Sequence, residues 1–222
     1  SPQLLAEYRL LSSRLQAVAV TRRMADRYPE CTCGEHTLLN NIAACERTVK
    51  AMHACLLKVP WSGSGKGLNW CLHGFTKPVS YWCERVLREQ GGLTAEPIYN
   101  KVKDFALEFY SDGQGEVRFA GYSVFSTNEH GAYTGNLLAS DGQIEESIAC
   151  CLSLEKLTGI REALRAELAS IYGNTYTGYL GVDMMVCRSD KENGYRVHPC
   201  VEINMRMEMG VVARLFYDRY VE

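Results

Sequence analysis

Residues 178–186 read GYLGVDMMV and residues 201–210 read VEINMRMEMG, with the turn-forming SDKENG (189–194) between them. Strand side chains alternate, so Val201, Ile203, Met205 and Met207 fall on one face and Glu202, Asn204, Arg206 and Glu208 on the other. A two-stranded hairpin centred between Glu192 and Asn193 sets Asp183 directly opposite Glu202 on a shared face. A plain sheet with one wet face would show the same alternation in a single strand. The facing carboxylate on the partner strand changes the reading, because two such groups repel unless something positive sits between them. One or two carboxylates with an amide oxygen nearby suit Mg²⁺, which completes its shell with water and substrate phosphates. The expected metal ligands are therefore Asp183, Glu202 and Asn204.

Upstream, residues 56–68 read LLKVPWSGSGKGL. This is not a Walker A loop: no glycine stands five residues before Gly65, and no Ser or Thr follows Lys66. A protein kinase would carry its phosphate-pairing lysine after the loop, whereas Lys58 precedes it. Glycines 63, 65 and 67 let backbone N–H groups approach phosphate oxygens, and Ser62 and Ser64 add hydroxyl donors. Taken alone, the segment reads equally well as a solvated hairpin tip.

The remaining pattern gives helices over 3–27, 36–53, 77–90, 143–157, 161–172 and 211–221, and strands over 54–59, 93–99, 104–112, 115–127, 178–186 and 196–207. That order, a small α/β unit, a hinge near Pro97 and a larger mixed sheet, predicts a two-lobed α+β protein. Its expected units are residues 1–30 (an N-terminal helix on the larger lobe), 31–97 (the small lobe) and 98–222 (the large lobe). The 222 residues carry a formal charge of −2 and no basic stripe, which argues against nucleic acid as a partner. No apolar run is long enough to span a membrane. The opening SPQLLAEYRLLSSR lacks an initiator Met and the layout of a signal peptide, so the chain is expected to be cytoplasmic and a piece of something longer. Ten cysteines without a signal peptide read as reduced thiols packed as small hydrophobes, with Cys150 and Cys151 placed mid-helix. Cys31, Cys33 and His36 lack the second ligand pair of a structural zinc site. His130, His198, Tyr133 and Asn136 could reach a substrate but read more simply as loop or strand-end residues, and Trp61 as core.

Taken in order, LLKVPWSGSGKGL, AEPIYNKVKDF, GYLGVDMMV and VEINMRMEMG resemble the ATP-grasp family of carboxylate ligases over about residues 54–210. The resemblance implies an ATP-grasp fold with the nucleotide between two α/β lobes. It implies Mg²⁺-dependent activation of a small carboxylate by ATP as an acyl phosphate, which an amine or similar nucleophile then attacks. Lys58 would bind the α and β phosphates, and Ser62, Gly63, Ser64, Gly65, Lys66 and Gly67 would close over the tail. Glu96, Ile98 and Tyr99 would form the adenine hinge, and Asp104 would stand near the ribose. Asp183, Glu202 and Asn204 would hold magnesium, while Arg206, with Lys58, would neutralise charge on the transferring group. Small-molecule substrates and a homodimer are the partners implied. Two departures stand out: Arg14 occupies the place of an early lysine, and the family's further N-terminal domain is missing. The alternatives are a nucleotide-binding module of a longer protein that no longer catalyses, and a metal-binding domain of a non-nucleotide enzyme.

Overall fold

Two antiparallel sheets, each with its own apolar core, divide the chain into a small and a large lobe. The computed structural model describes residues 1–63, 66–189 and 194–221; the predicted loop residues Ser64 and Gly65 and the predicted turn centre lie outside the described residues.

The chain opens with helices α1 (Pro2–Leu11) and α2 (Leu15–Arg27), where a single helix was expected. The backbone at Ser12–Arg14 breaks the run, and the Arg14 N–H leaves the helix to bond the Pro60 carbonyl at 2.9 Å. Strand β1 (Thr37–Leu39) and helix α3 (Ile42–Met52) replace the helix expected over 36–53. Asn41, read as a weak spot of that helix, is its N-cap, accepting the Ala44 N–H. Strands β2 (Cys55–Lys58) and β3 (Leu68–Cys71), helix α4 (Lys77–Gln90) and strand β4 (Leu93–Pro97) complete the small lobe in the order β1-β4-β2-β3. Cys45, Cys55, Cys71 and Cys83 are buried in its core beside Leu57 and Ala95. Because Lys58 faces Thr94 and Leu56 faces Glu96 across the ladder, Lys58 and Glu96 share the sheet face turned away from this core.

The large lobe carries strands β5 (Lys101–Asp112), β6 (Val117–Thr127) and β7 (Tyr133–Asn136), helices α5 (Asp141–Ala149) and α6 (Leu154–Tyr172), strands β8 (Thr177–Arg188) and β9 (Tyr195–Asn204), and helix α7 (Met209–Tyr220). Its sheet runs β7-β6-β5-β8-β9. One face packs on α2, α5 and α6 through Val20, Ile148, Leu164, Phe105, Val182 and Ile203. Cys150 and Cys151 lie in the break between α5 and α6 and not within a helix; Cys150 is exposed. No described helix is long and apolar enough to cross a membrane.

The decisive hairpin holds Asp183 opposite Glu202, as expected, but by another route. Nearer the turn, Met185 faces His198 and Arg188 faces Tyr195, a register displaced from the expected one. Strand β9 then runs from 198 to 202 while β8 runs from 185 to 183, and this bulge holds Pro199, which has no N–H to give a ladder. The strand ends at Asn204, so Met205 to Glu208 form a connection where strand was expected.

Candidate functional site

A cleft of about 330 Å³ lies between the two sheets, with Lys58 and Glu96 on one side and Asp183, Glu202 and Asn204 on the other. Apolar contacts come from Leu56, Ile98, Met185 and Val201, and Tyr99, Asp104 and Arg206 also border it. Nine of the expected site residues thus come together around one space.

On the small-lobe side, Lys58 Nζ lies 2.7 Å from Glu96 Oε2. The second oxygen, Oε1, lies 2.9 Å from His36 Nδ1, at a bent angle. Burial by itself would raise the Glu96 pKa, but the charge on Lys58 and the contact with His36 together pull it down to about 2. Both carboxylate oxygens are therefore engaged within the protein. Asp104, near the hinge, accepts from Thr127 Oγ1 at 3.0 Å and pairs with Lys101. The Tyr99 hydroxyl oxygen accepts the Glu35 N–H at 2.8 Å.

The opposite side is acidic. Asp183 is half-buried at the cleft wall, and its pKa is raised well above the ordinary value by desolvation first, then by the negative charge of Glu208 and Glu202. Asn204 Nδ2 donates to Asp183 Oδ2 at 3.1 Å, and its Oδ1 accepts from Arg206. Beneath them, Glu108 and Glu208 are pushed up to about 7 and about 9, by burial first. Ser123 Oγ donates to Glu108 Oε1 at 2.9 Å, while Glu108 Oε2 and Glu208 Oε1 find no hydrogen-bond partner among the described residues. This excess of buried negative charge fits a divalent cation. No group of three or more described His, Cys, Asp and Glu side chains forms a ready-made cage.

Arg14 joins the two sides. Its Nη1 donates to the Val59 carbonyl at 3.1 Å and to Ser62 Oγ at 2.5 Å, and its Nη2 lies 3.2 Å from Glu202 Oε2. One buried guanidinium therefore ties the start of the glycine loop to the expected metal ligand. Ser62 in turn donates to the Lys66 carbonyl. Gly67 has φ +71°, and a Cβ there would collide with Val59 and Ser62, so the loop needs glycine at this point. Gly63 and Lys66 are exposed, and Ser62, Gly63, Lys66 and Gly67, expected to close over the phosphates, do not line the cleft. Trp61 is half-buried and not core: its ring N–H donates to the Arg9 carbonyl at 2.7 Å under the Arg9 guanidinium.

Other polar residues fall differently. His198 is fully buried against His36 and Tyr99 and does not border the cleft. Exposed His130 lies beside Glu129, whereas Tyr133 and Asn136 do border the cleft. His36 turns toward Glu96 and Thr21, away from a site with Cys31 and Cys33. Sequence reasoning missed His36, Glu108, Glu208, Ser123 and Thr127 as members of this region. Only the alternation over 104–112 hinted at an inward Glu108, and nothing local singles out His36.

No protein-family model matches the chain, and no curated protein matches it. Solved structures do. The biotin carboxylase domain of Hydrogenobacter thermophilus 2-oxoglutarate carboxylase, solved with MgADP, ADP and bicarbonate, superposes with a TM-score of 0.61 at 16% identity, over 90% of this chain and 40% of that one. N5-carboxyaminoimidazole synthetase from Staphylococcus aureus, solved with ADP, gives 0.59 at 13% identity, over 90% of this chain and 46% of that one. Rhizobium etli pyruvate carboxylase gives 0.62 at 15% identity, over 94% of this chain and 17% of that one. At these identities the likeness is one of fold, and the chain spans less than half the length of each of these three structures.

Proposed function

We propose, for a chain that carries the ATP-grasp fold, that the cleft binds ATP with magnesium and activates a small carboxylate for attack by an amine or similar nucleophile. The single observation that supports this most is the half-buried Asp183–Glu202 pair, facing the same cleft as Lys58 and tied to the glycine loop by Arg14.

A carboxylate is a poor electrophile because its leaving group would be oxide. Attack of its oxygen on the γ phosphorus expels ADP and leaves an acyl phosphate. Attack of the amine nitrogen on the acyl carbon then expels phosphate, and the nitrogen loses a proton. The protein's part is positioning and charge neutralisation. Lys58 binds the α and β phosphates, and the N–H groups and hydroxyls of Ser62 to Gly67 close over the tail and exclude water. Ile98 and the hinge backbone contact adenine, and Asp104 faces the ribose. Arg206 neutralises charge on the transferring group. Asp183, Glu202 and Asn204 would hold magnesium, which supplies Lewis-acid neutralisation of the phosphate oxygens. The substrates are small molecules.

Calorimetric titration with Mg·ATP tests binding, and hydroxylamine trapping of acyl phosphate across a panel of carboxylic acids tests the chemistry. The expected result is saturable Mg·ATP binding and hydroxamate formation with at least one acid. Binding with no hydroxamate would favour a nucleotide-binding module without turnover, and no binding would end the reading.

A further inference from the structure

The charge cluster on the small-lobe side of the cleft contains one member that the function above leaves unused, His36. We propose that His36 is a positioning residue for Lys58: it holds the buried Glu96 carboxylate so that the lysine can leave Glu96 for the nucleotide phosphates. This inference rests on the Mg·ATP reading of the cleft and deepens it.

Glu96 is 3% exposed, and its two oxygens face Lys58 Nζ at 2.7 Å and His36 Nδ1 at 2.9 Å. Lys58 cannot neutralise phosphate and remain on Glu96. If it were the sole counter-charge, its departure would strand a buried anion, one of the costlier events in a protein interior. His36 removes that obstacle by staying behind.

The ring is anchored from the other lobe. Thr21 Oγ1, on α2, gives its one proton to the Cys200 carbonyl of β9 at 2.8 Å, so its contact with His36 Nε2 at 3.1 Å uses the ring as donor. Nδ1 meets Glu96 Oε1 at 2.9 Å, in a contact too bent for a hydrogen bond. His198 of β9 abuts the His36 ring edge-on, centroids 5.3 Å apart, and Tyr99 abuts His198 at 5.5 Å. His198 fits only because residue 34 is glycine: a Cβ there would lie 2.9 Å from its Nε2. Burial holds the His198 pKa down to about 3, so His198 is a neutral wedge that does not compete for Glu96. His36 is thus suspended from α2 and β9 of the large-lobe side and grips a carboxylate of the small lobe.

The test is a double-mutant cycle read by calorimetric titration of the whole chain with Mg·ATP, comparing wild type, His36→Ala, Glu96→Gln and the double variant. His36→Ala is expected to weaken binding by about tenfold or more, because Lys58 becomes the only partner of a buried charge. In the Glu96→Gln background the same change is expected to cost less than about twofold, since a neutral amide needs no counter-charge. His36→Gln, which keeps a polar donor without the ring, should fall between, and it carries the same comparison if His36→Ala does not fold by circular dichroism. Equal losses in both backgrounds would reduce His36 to a packing role and overturn the inference, as would no loss in either. A wild-type chain that binds no Mg·ATP would overturn the function itself and this inference with it, whereas wild-type binding with additive losses would overturn the inference alone.

Discussion

The two walls of the cleft handle buried charge in opposite ways. On the small-lobe wall, Glu96 meets Lys58 and His36, and its pKa falls to about 2 despite burial. On the large-lobe wall, Asp183, Glu202, Glu108 and Glu208 gather with Arg206 and Arg14 as their cations, and the pKa values of Asp183, Glu108 and Glu208 rise. The first cluster is complete as it stands; the second is short of positive charge. The difference teaches where a ligand's charge is wanted: a self-neutralised cluster positions, and an uncompensated one binds.

The strongest way to break the comparison is to remove charge from the large-lobe wall. Asp183→Asn or Glu202→Gln should lower nucleotide turnover by about a thousandfold or more, since metal neutralisation of the phosphates is lost. The thermal midpoint of Asp183→Asn should hold or rise, because that substitution relieves repulsion, whereas Glu202→Gln also gives up the ion pair with Arg14. Turnover at the wild-type rate in a steady-state ADP-release assay would contradict the division. Next in size is the opposite wall, where Glu96→Ala leaves Lys58 and His36 buried without their anion. Urea denaturation should show a loss of about 3–5 kcal/mol; a loss indistinguishable from a surface substitution would show that the cluster is not self-neutralised.

The pH dependence of stability sharpens the contrast. Glu208 has a folded pKa of about 9 against 4.5 for the free group, so the folded state keeps a proton that the unfolded state releases. Its contribution is full below pH 4.5 and is lost as pH rises toward 9. His198 has a folded pKa of about 3 against 6.5, so its contribution is full above pH 6.5 and is lost as pH falls toward 3. Thermal midpoints across pH should therefore fall off on both sides. Glu208→Gln should flatten the alkaline limb and His198→Phe the acid limb; an unchanged alkaline limb in Glu208→Gln would remove the large-lobe half of the picture. The smallest effect concerns the tie between the walls. Arg14→Lys keeps the charge but not the fork that meets Val59, Ser62 and Glu202 together. Mg·ATP affinity should drop by about three- to tenfold, measured by the same titration, and an unchanged affinity would make the tie incidental.

Much of this was legible in local pattern, though not always for the right reason. Helix 77–90 is found with the bounds expected, because proline in the first turn and two glycines after the last are strong local signals. The Asp183–Glu202 pair was placed correctly, yet the turn-side register differs and the bulge at 198–202 restores it. Alternation could tell which residues share a face, but the bulge depends on how β9 meets its neighbours. The break at Ser12–Arg14 escaped notice because the apolar stripe continues across it, and the Arg14 N–H is drawn off by a carbonyl 46 residues away. His36 sat in CTCGEH, where nearby cysteines suggested a metal, while its actual partners come from α2 and β4.

Sequence alone determined the α+β order, the lysine strand before a glycine loop, and the carboxylates of the final hairpin, because periodicity and turn chemistry act over a few residues. Tertiary structure decided which charges are answered and which are left open. That outcome depends on burial and on partners distant in the chain: Lys58 with Glu96, His36 with Thr21, and Arg14 with Glu202. The energy of a charge is set by everything folded around it, and no local window of residues contains that information.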